Sequence, residues 1–301
     1  MRQFCLRTLL FALPLLGLLA LFEARLRAIP NDYSYKHSFW TSRPDDIEVL
    51  VLGSSHSYYG VDPAYFTAKG FNASHISQSI DLDHALFAEY ANGLHNLKTV
   101  IIPISYNTMF GKLMNSKERW RIKNYVIYYN LPLSWAPSDH FELMNGTVQA
   151  SLDRMTAYLR HERTDLSCTE LGASGTDPKS DDLMVTGEIA AKRHTRADRS
   201  RLPENTDHLK AIIALARSRN ARIILFTPPA HRTYREHMDP GQWREAQAAV
   251  NDVLAGEDIA YFDLLASPAF VDEDFRDADH LSAAGRRKLS LMLDSLIKPN
   301  Q

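Results

Sequence analysis

Short apolar runs, rich in β-branched residues and ended by Gly or Pro, recur along most of the chain. Such runs are typical of strands that are buried on both faces of a sheet. The predicted strands are residues 47–52, 71–76, 99–104, 222–227 and 259–262.

Between these runs, apolar side chains recur at helical spacing. The predicted helices are residues 61–68, 83–95, 206–218, 241–255 and 282–297. Strand and helix in alternation predict an α/β fold, a three-layer sandwich with a mostly parallel central sheet. In such sheets, functional sites form at the carboxyl ends of the strands.

The alternation is interrupted at residues 106–204. A structureless loop of that length is uncommon in a compact domain, so we predict a helical insertion that acts as a cap beside the strand ends. Residues 116–132 and 147–162 have helical character, whereas 171–182 are typical of an exposed loop. The aromatic residues of the insertion either form its own core or bind a sugar chain.

The N-terminus carries basic residues ahead of an apolar run at residues 8–22. This pattern is typical of a secretory signal or signal-anchor. We predict a signal-anchor at 1–28 in a bacterial inner membrane, a linker at 29–46 and a catalytic domain at 47–301 on the periplasmic or outer side. Cleavage followed by secretion is the first alternative, and a buried helix of the soluble fold is the second.

Composition and charge narrow the function classes. The chain has 301 residues, of which 45% are hydrophobic and 23% charged, with a formal net charge of −2. This is an ordinary globular composition without the basic footprint that nucleic-acid binding needs. Cys5 and Cys168 are the two cysteines, and they have no metal-binding spacing.

Two short motifs carry chemistry. Gly53-Ser54-Ser55 follows the first strand directly, and a strand-to-turn junction with Gly can expose a nucleophilic serine beside backbone N–H donors. Asp277-Ala-Asp279-His280 precedes the last helix. A serine nucleophile needs a histidine base, and that base needs an orienting carboxylate. Taken singly, the first motif could be a plain turn and the second a helix-capping loop or a metal site.

Together the two motifs resemble those of the SGNH/GDSL hydrolase superfamily, whose element order matches residues 47–297. The resemblance implies a flavodoxin-like sheet, with Ser55 as nucleophile, His280 as general base and acid, and Asp277 as the carboxylate that orients His280. Ser54 stands where the family often has Asp, as in membrane-associated relatives that acylate cell-surface polymers. The family's oxyanion donors correspond to the backbone N–H groups of Ser55 and Ser77, where the family has Gly, and to Asn107, whose block lacks the family's Gly and second polar residue.

Three further residues are candidates for lining the substrate site: His56 next to the nucleophile, and His231 and Tyr234 after the fourth strand. No cofactor and no metal is expected, although Asp277, Asp279 and His280 are all possible metal ligands.

The resulting expectation is an esterase or O-acyltransferase that works through an acyl-Ser55 intermediate. Its expected substrate is an acylated glycan or polysaccharide of the cell envelope, and its expected partners belong to an envelope polysaccharide system. The alternative is a non-catalytic module of the same fold that binds a glycan or a protein of such a system.

Overall fold

Five parallel strands form the central sheet of the computed structural model, which describes residues 1–176 and 181–298. The strands are β1 Val49–Val51, β2 Gly70–Asn72, β3 Thr99–Pro103, β4 Arg222–Thr227 and β5 Ala260–Asp263. Their order is β2-β1-β3-β4-β5, and every neighbouring pair is parallel. The predicted α/β class with a parallel sheet is confirmed, although β1 and β2 are shorter than predicted.

This strand order has a switch point between β1 and β3. The chain leaves β1 towards β2 on one side, whereas from β3 it continues to β4 on the other. In open parallel sheets the crevice at such a point, outside the carboxyl ends of the strands, is where ligands bind. The sheet order therefore directs attention to the residues that follow Val51 and Pro103.

Both faces of the sheet are buried, which is why its strands read as continuous apolar runs. Val51, Ile101 and Phe226 point to one face, where they pack with Leu289 and Leu293 of α11 Ala283–Ile297. Successive side chains alternate between faces. The opposite face, with Leu50, Val100 and Leu225, is fully buried as well.

Three helices between the strands lie close to their predicted positions, namely α4 Ile80–Tyr90, α8 Leu202–Ser218 and α10 Pro240–Leu254, and so does α11. Three more were not predicted, namely α3 Ser55–Gly60, α7 Leu183–His194 and α9 Arg232–Glu236. The helix predicted at 61–68 is wrong, since only a 3₁₀ turn forms at Pro63–Tyr65, where Asp62 caps the turn. A short antiparallel ribbon, β6 Phe275–Asp277 with β7 His280–Leu281, was not predicted.

The segment 29–46, predicted as a linker, contains helix α2 Asp32–Ser42. Its apolar positions lack helical periodicity, and contacts distant in sequence hold it instead. Phe39 stacks on Phe71 with ring centroids 4.0 Å apart, and Trp40 packs against Phe71 and Tyr90.

The chain divides into two compact units, residues 1–37 with 119–166, and residues 38–118 with 167–301. The insertion predicted as one cap at 106–204 is thus shared between them. The first unit contains α1 Arg2–Arg27, α5 Ile122–Tyr129 and α6 Val148–His161. The second unit contains the sheet and all the candidate catalytic residues.

The C-terminal part of α1 is built into the core of the first unit. Leu26 and Ile29 are buried with Met155. The carboxylate of Glu23 accepts hydrogen bonds from the backbone N–H groups of Glu142 (2.9 Å) and Leu143 (3.0 Å). Residues 22–29 therefore belong to the core of the first unit, whereas the sequence analysis placed residues up to 28 in the signal-anchor.

Among the described residues, none of the helices has both the length and the apolar character of a membrane span. The membrane segment expected at 8–22 stays a prediction.

Candidate active site

The turn after β1 sets the conformation of Ser55. Gly53 has a φ of +114°, a conformation that L side chains rarely adopt. A Cβ at this position would lie 2.2 Å from Cγ of Pro103, so the turn requires glycine. Ser55 is the first residue of α3, where a backbone N–H has no acceptor within its own helix. The half-buried hydroxyl of Ser55 and its N–H therefore share the start of this helix.

The buried carboxylate of Asp83 holds this turn through a hydrogen bond to its backbone. Oδ1 of Asp83 accepts hydrogen bonds from the backbone N–H of Gly53 at 2.7 Å and from Nε2 of Gln78 at 2.6 Å. Burial raises the pKa of Asp83 to about 7, although both hydrogen bonds act in the opposite direction. Asp83, which the sequence marked only as a helix start, thus links the turn of Ser55 to the segment that follows β2.

Ser55, His280 and Asp277 lie in hydrogen-bonding sequence. Nε2 of His280 is 2.8 Å from Oγ of Ser55. Nδ1 of His280 is 2.9 Å from Oδ1 of Asp277 and 3.1 Å from its Oδ2. The structure therefore brings the three predicted catalytic residues together in the geometry of a nucleophile, a base and an orienting carboxylate.

The β6–β7 ribbon fixes the carboxylate of Asp277. Its Oδ1 accepts the backbone N–H of His280 at 2.8 Å and that of Asp279 at 3.2 Å, so the side chain closes its own turn. Nη2 of Arg276 donates to Oδ2 at 2.9 Å. Burial would raise the pKa of Asp277, but His280 and Arg276 hold it below its usual value. The carboxylate of Asp277 is therefore kept ionised and is held in place by these hydrogen bonds.

A second carboxylate, that of Asp279, lies beside this triad and is only 3% exposed. Its Oδ1 is 3.6 Å from Nδ1 of His280, and its Oδ2 is 3.7 Å from both Nε2 of His56 and Nδ1 of His194. The ring of His56 stacks on that of His280, with centroids 5.1 Å apart and an interplanar angle of 19°. Three imidazoles therefore surround one buried carboxylate.

The three imidazoles are not equivalent. Burial lowers the pKa of His194 to about 3, and its Nδ1 is 2.9 Å from the hydroxyl of Tyr234. Burial would lower the pKa of His280 too, but the carboxylates of Asp279 and Asp277 raise it above its ordinary value. Of these two imidazoles, His280 is therefore the one on which a positive charge is favoured, whereas His194 stays neutral.

The two other predicted oxyanion donors follow β2 and β3, the strands on either side of β1. Ser77 has a φ of 61°, a left-handed conformation that glycine adopts most readily, and its hydroxyl donates to Oε2 of Glu118 at 2.7 Å. Oδ1 of Asn107 accepts a hydrogen bond from Oγ of Ser105 at 3.3 Å. Their role as donors stays a prediction.

The candidate substrate-lining residues have diverse surroundings. His56 is buried against the triad, and its Nδ1 is 3.2 Å from Oγ of Ser54. Tyr234 is buried and bonded to His194. His231 caps α9, its ring nitrogens lie 2.8 Å from Thr233 and 3.1 Å from Asp272, and it borders a cavity of about 120 Å³. Contact of these residues with substrate stays a prediction.

Three side chains, those of His56, Asp279 and His280, have ligand atoms within 4.8 Å of one another and could reach one metal ion. Such an ion would take a nitrogen of His280 away from Ser55 or from Asp277. The present hydrogen bonds therefore fit acid–base chemistry at His280 better than metal ligation.

Sequence reasoning missed His194, the neutral imidazole of this cluster. It lies at the end of α7 inside the predicted insertion, and no motif marks it. Only the fold brings it to Asp279.

Comparison of the sequence with known families and curated proteins finds no match. No family model matches the chain, and no curated protein is significantly similar to it. Among solved structures, a GDSL-like lipase from Bacteroides thetaiotaomicron is 10% identical, with 88% of this chain and 98% of that chain covered and a TM-score of 0.44. A lipase/acylhydrolase from Enterococcus faecalis is 12% identical, with 85% and 100% covered and a TM-score of 0.39.

Proposed function

We propose that this chain is a serine-dependent acyl-ester enzyme of the SGNH/GDSL type. The observation that carries the proposal is the hydrogen-bonded series from Ser55 Oγ to His280 Nε2 (2.8 Å) and from His280 Nδ1 to Asp277 Oδ1 (2.9 Å). Nothing in this series needs a cofactor, because a base, a nucleophile and oriented donors suffice for acyl transfer.

In the first half-reaction, Ser55 Oγ attacks the carbonyl carbon of the ester while its proton passes to Nε2 of His280. The oxyanion is stabilised by the backbone N–H groups of Ser55 and Ser77 and by the amide of Asn107. The C–O bond to the leaving alcohol then breaks, and His280 returns its proton to that alcohol. The product is an acyl-Ser55 ester.

In the second half-reaction, a hydroxyl group attacks the acyl-Ser55 carbonyl and gives its proton to His280. Collapse of the intermediate returns the proton from His280 to Ser55. If the attacking hydroxyl belongs to water, the enzyme is an esterase. If it belongs to a sugar, the enzyme is an O-acyltransferase.

The proposed substrate is an acylated glycan or polysaccharide of the cell envelope, and residues 8–22 are proposed to attach the chain to the inner membrane. Exposed apolar side chains along α1 support this attachment, with Phe11 85% and Leu18 65% exposed. Large exposed apolar surfaces of soluble proteins generally mark contacts with membranes or other proteins.

The test is hydrolysis of p-nitrophenyl acetate by the full chain and by Ser55→Ala and His280→Ala. We expect hydrolysis by the wild type and background rates in both variants, because each variant removes a group that bonds directly in the reaction. Ser54→Ala is the matched control and should retain activity. Activity that survives in Ser55→Ala would refute the nucleophile, whereas folded but inactive wild type with glycan affinity would favour the non-catalytic module.

A further inference from the structure

The side chain of Asp279 is a buried carboxylate that is not stabilised by close hydrogen bonds from the part of the chain that the structure describes. Its Oδ2 has no hydrogen-bond partner among the described residues. A buried ionised carboxylate is costly unless it is paired. What surrounds it is a set of groups that carry or can accept positive charge, at distances too long for hydrogen bonds.

These groups come from three elements. His280 lies on the same turn, with Nδ1 at 3.6 Å from Oδ1, and His56 of α3 has Nε2 at 3.7 Å from Oδ2. From α7, His194 Nδ1 and the exposed Arg193 Nη2 are each 3.7 Å from Oδ2. Burial would raise the pKa of Asp279, but the nearby positive charge of His280 holds it well below its usual value. The carboxylate is therefore ionised.

Of these neighbours, His280 is the one whose charge changes during the proposed reaction. Its two ring nitrogens already bond Ser55 and Asp277, so the interaction with Asp279 is purely through space. Because Asp279 and His280 are both buried, an opposite charge at 3.6 Å acts strongly. The attraction is small while His280 is neutral and large once it holds the proton of Ser55.

We propose that Asp279 is a positioning residue, a second carboxylate that makes His280 a stronger base and stabilises the imidazolium formed when Ser55 gives up its proton. The inference rests on the proposed function. The proton moves only from Ser55 Oγ to His280 Nε2, and Asp279 itself takes none. Because the carboxylate is fixed before reaction, its effect is greatest in the transition state, where the charge develops.

The neighbouring charged and ring groups have separate roles. His194, bonded to Tyr234, stays neutral and only fills the far side of Asp279. Arg276 acts on Asp277 rather than on Asp279, and its guanidinium lies 4.1 Å from the ring centroid of Tyr59. Tyr59 in turn packs edge-on against His280.

The test compares the full chain with Asp279→Asn and Asp279→Glu over about pH 5 to 9, the range in which histidine titrates. Asp252→Asn, an exposed carboxylate of α10, is the control. On the acidic side of the pH profile, kcat rises as His280 loses its proton. In Asp279→Asn we expect the midpoint of this rise to move to lower pH by about one unit or more. We also expect the plateau of kcat to fall at least about tenfold, with KM unchanged. Asp279→Glu, which keeps the charge, should restore part of the change in midpoint.

A wild-type midpoint in folded Asp279→Asn would overturn the inference, even if the rate fell, because a purely structural role does not move the pKa of His280. Activity in Ser55→Ala would instead overturn the proposed function. Loss of wild-type activity after dialysis against EDTA, restored by Zn²⁺, would replace the inference with a metal role. If Asp279→Asn does not fold, the inference is tested by NMR titration of His280 in Ser55→Ala. A titration midpoint of His280 at or below about 6.5, the ordinary histidine value, overturns the inference.

Discussion

Single residues around His280 divide into those held by their own turn and those brought in from a distance. Asp277 is held by the backbone N–H groups of Asp279 and His280. Because this turn is local, the pair Asp277 and His280 could be predicted from the short spacing between them. His56 and His194 reach Asp279 only through the packing of α3 and α7, which no local pattern encodes.

Asp277→Asn should lower kcat for ester hydrolysis by about 10³-fold or more, because the amide cannot stabilise the imidazolium of His280 and favours the wrong tautomer. The direction of the pH dependence follows from the raised pKa of His280. His280 must be neutral to act as the base, so wild-type activity rises as the pH increases through the pKa of His280. Asp277→Asn should move this rise in activity to lower pH. Steady-state rates across the pH range provide the measurement.

The same raised pKa has the opposite effect on stability. His280 binds a proton more tightly in the folded chain than in the unfolded chain. The resulting stabilisation is complete below the ordinary histidine pKa and is lost as the pH rises through the pKa of the folded chain.

For the catalytic role of Asp277, the contradicting result would be an Asp277→Asn protein with a nearly normal rate and an unchanged pH at which activity rises.

At the scale of elements, strands were predictable because both faces of the sheet are buried, so each strand is apolar throughout. The helix Asp32–Ser42 was not, since Phe39 and Trp40 gain their partners from Phe71 and Tyr90 rather than from neighbours on the helix. The β6–β7 ribbon is too short to carry a periodic pattern.

Asp83 connects α4 to the turn after β1, and its protonation makes stability depend on pH. Its pKa is about 7 in the folded chain, against 3.8 ordinarily. As the pH rises, the unfolded chain therefore loses this proton at lower pH than the folded chain does. The free energy of unfolding falls as a result from about pH 4 to about pH 7. Asp83→Asn should remove this fall and be more stable than wild type at pH 8, because each tenfold difference in proton affinity is worth about 1.4 kcal/mol.

Urea unfolding at two pH values measures this effect, and ester hydrolysis should persist because the carbonyl of Asn can still accept from Gly53 and Gln78. Asp83→Leu is the matched contrast. It leaves the N–H of Gly53 without an acceptor, which costs about 1–3 kcal/mol, and should lose activity. Equal activity in both variants would show that Asp83 does not position the turn.

For the whole molecule, the sequence pattern predicted a single domain with one insertion, whereas contacts divide the chain differently. Residues 1–37 and 119–166 form one unit because Leu26, Ile29 and Glu23 have their partners in the second segment. Such pairings between distant segments leave no trace in local periodicity. The sheet, in contrast, lies wholly in the other unit and follows the predicted strand order along the chain.

Deletion of residues 2–20 should release the protein from the membrane fraction and leave ester hydrolysis intact, because Glu23, Leu26 and Ile29 remain. Deletion of residues 2–30 removes these three contacts and should lower the melting temperature markedly. Cell fractionation and thermal unfolding provide the measurements. Membrane association that persists after deletion of 2–20 would contradict the proposed anchoring role of residues 8–22.

The most direct test of the central claim is to trap the acyl-enzyme. The full chain is mixed with p-nitrophenyl acetate, quenched in acid within the first turnover, digested and mapped by mass spectrometry. We predict one acetyl group on the peptide that contains Ser55, located on Ser55 itself and absent from His280→Ala. Turnover of the ester without acetylation of Ser55, or with acetyl on another residue, would contradict the mechanism.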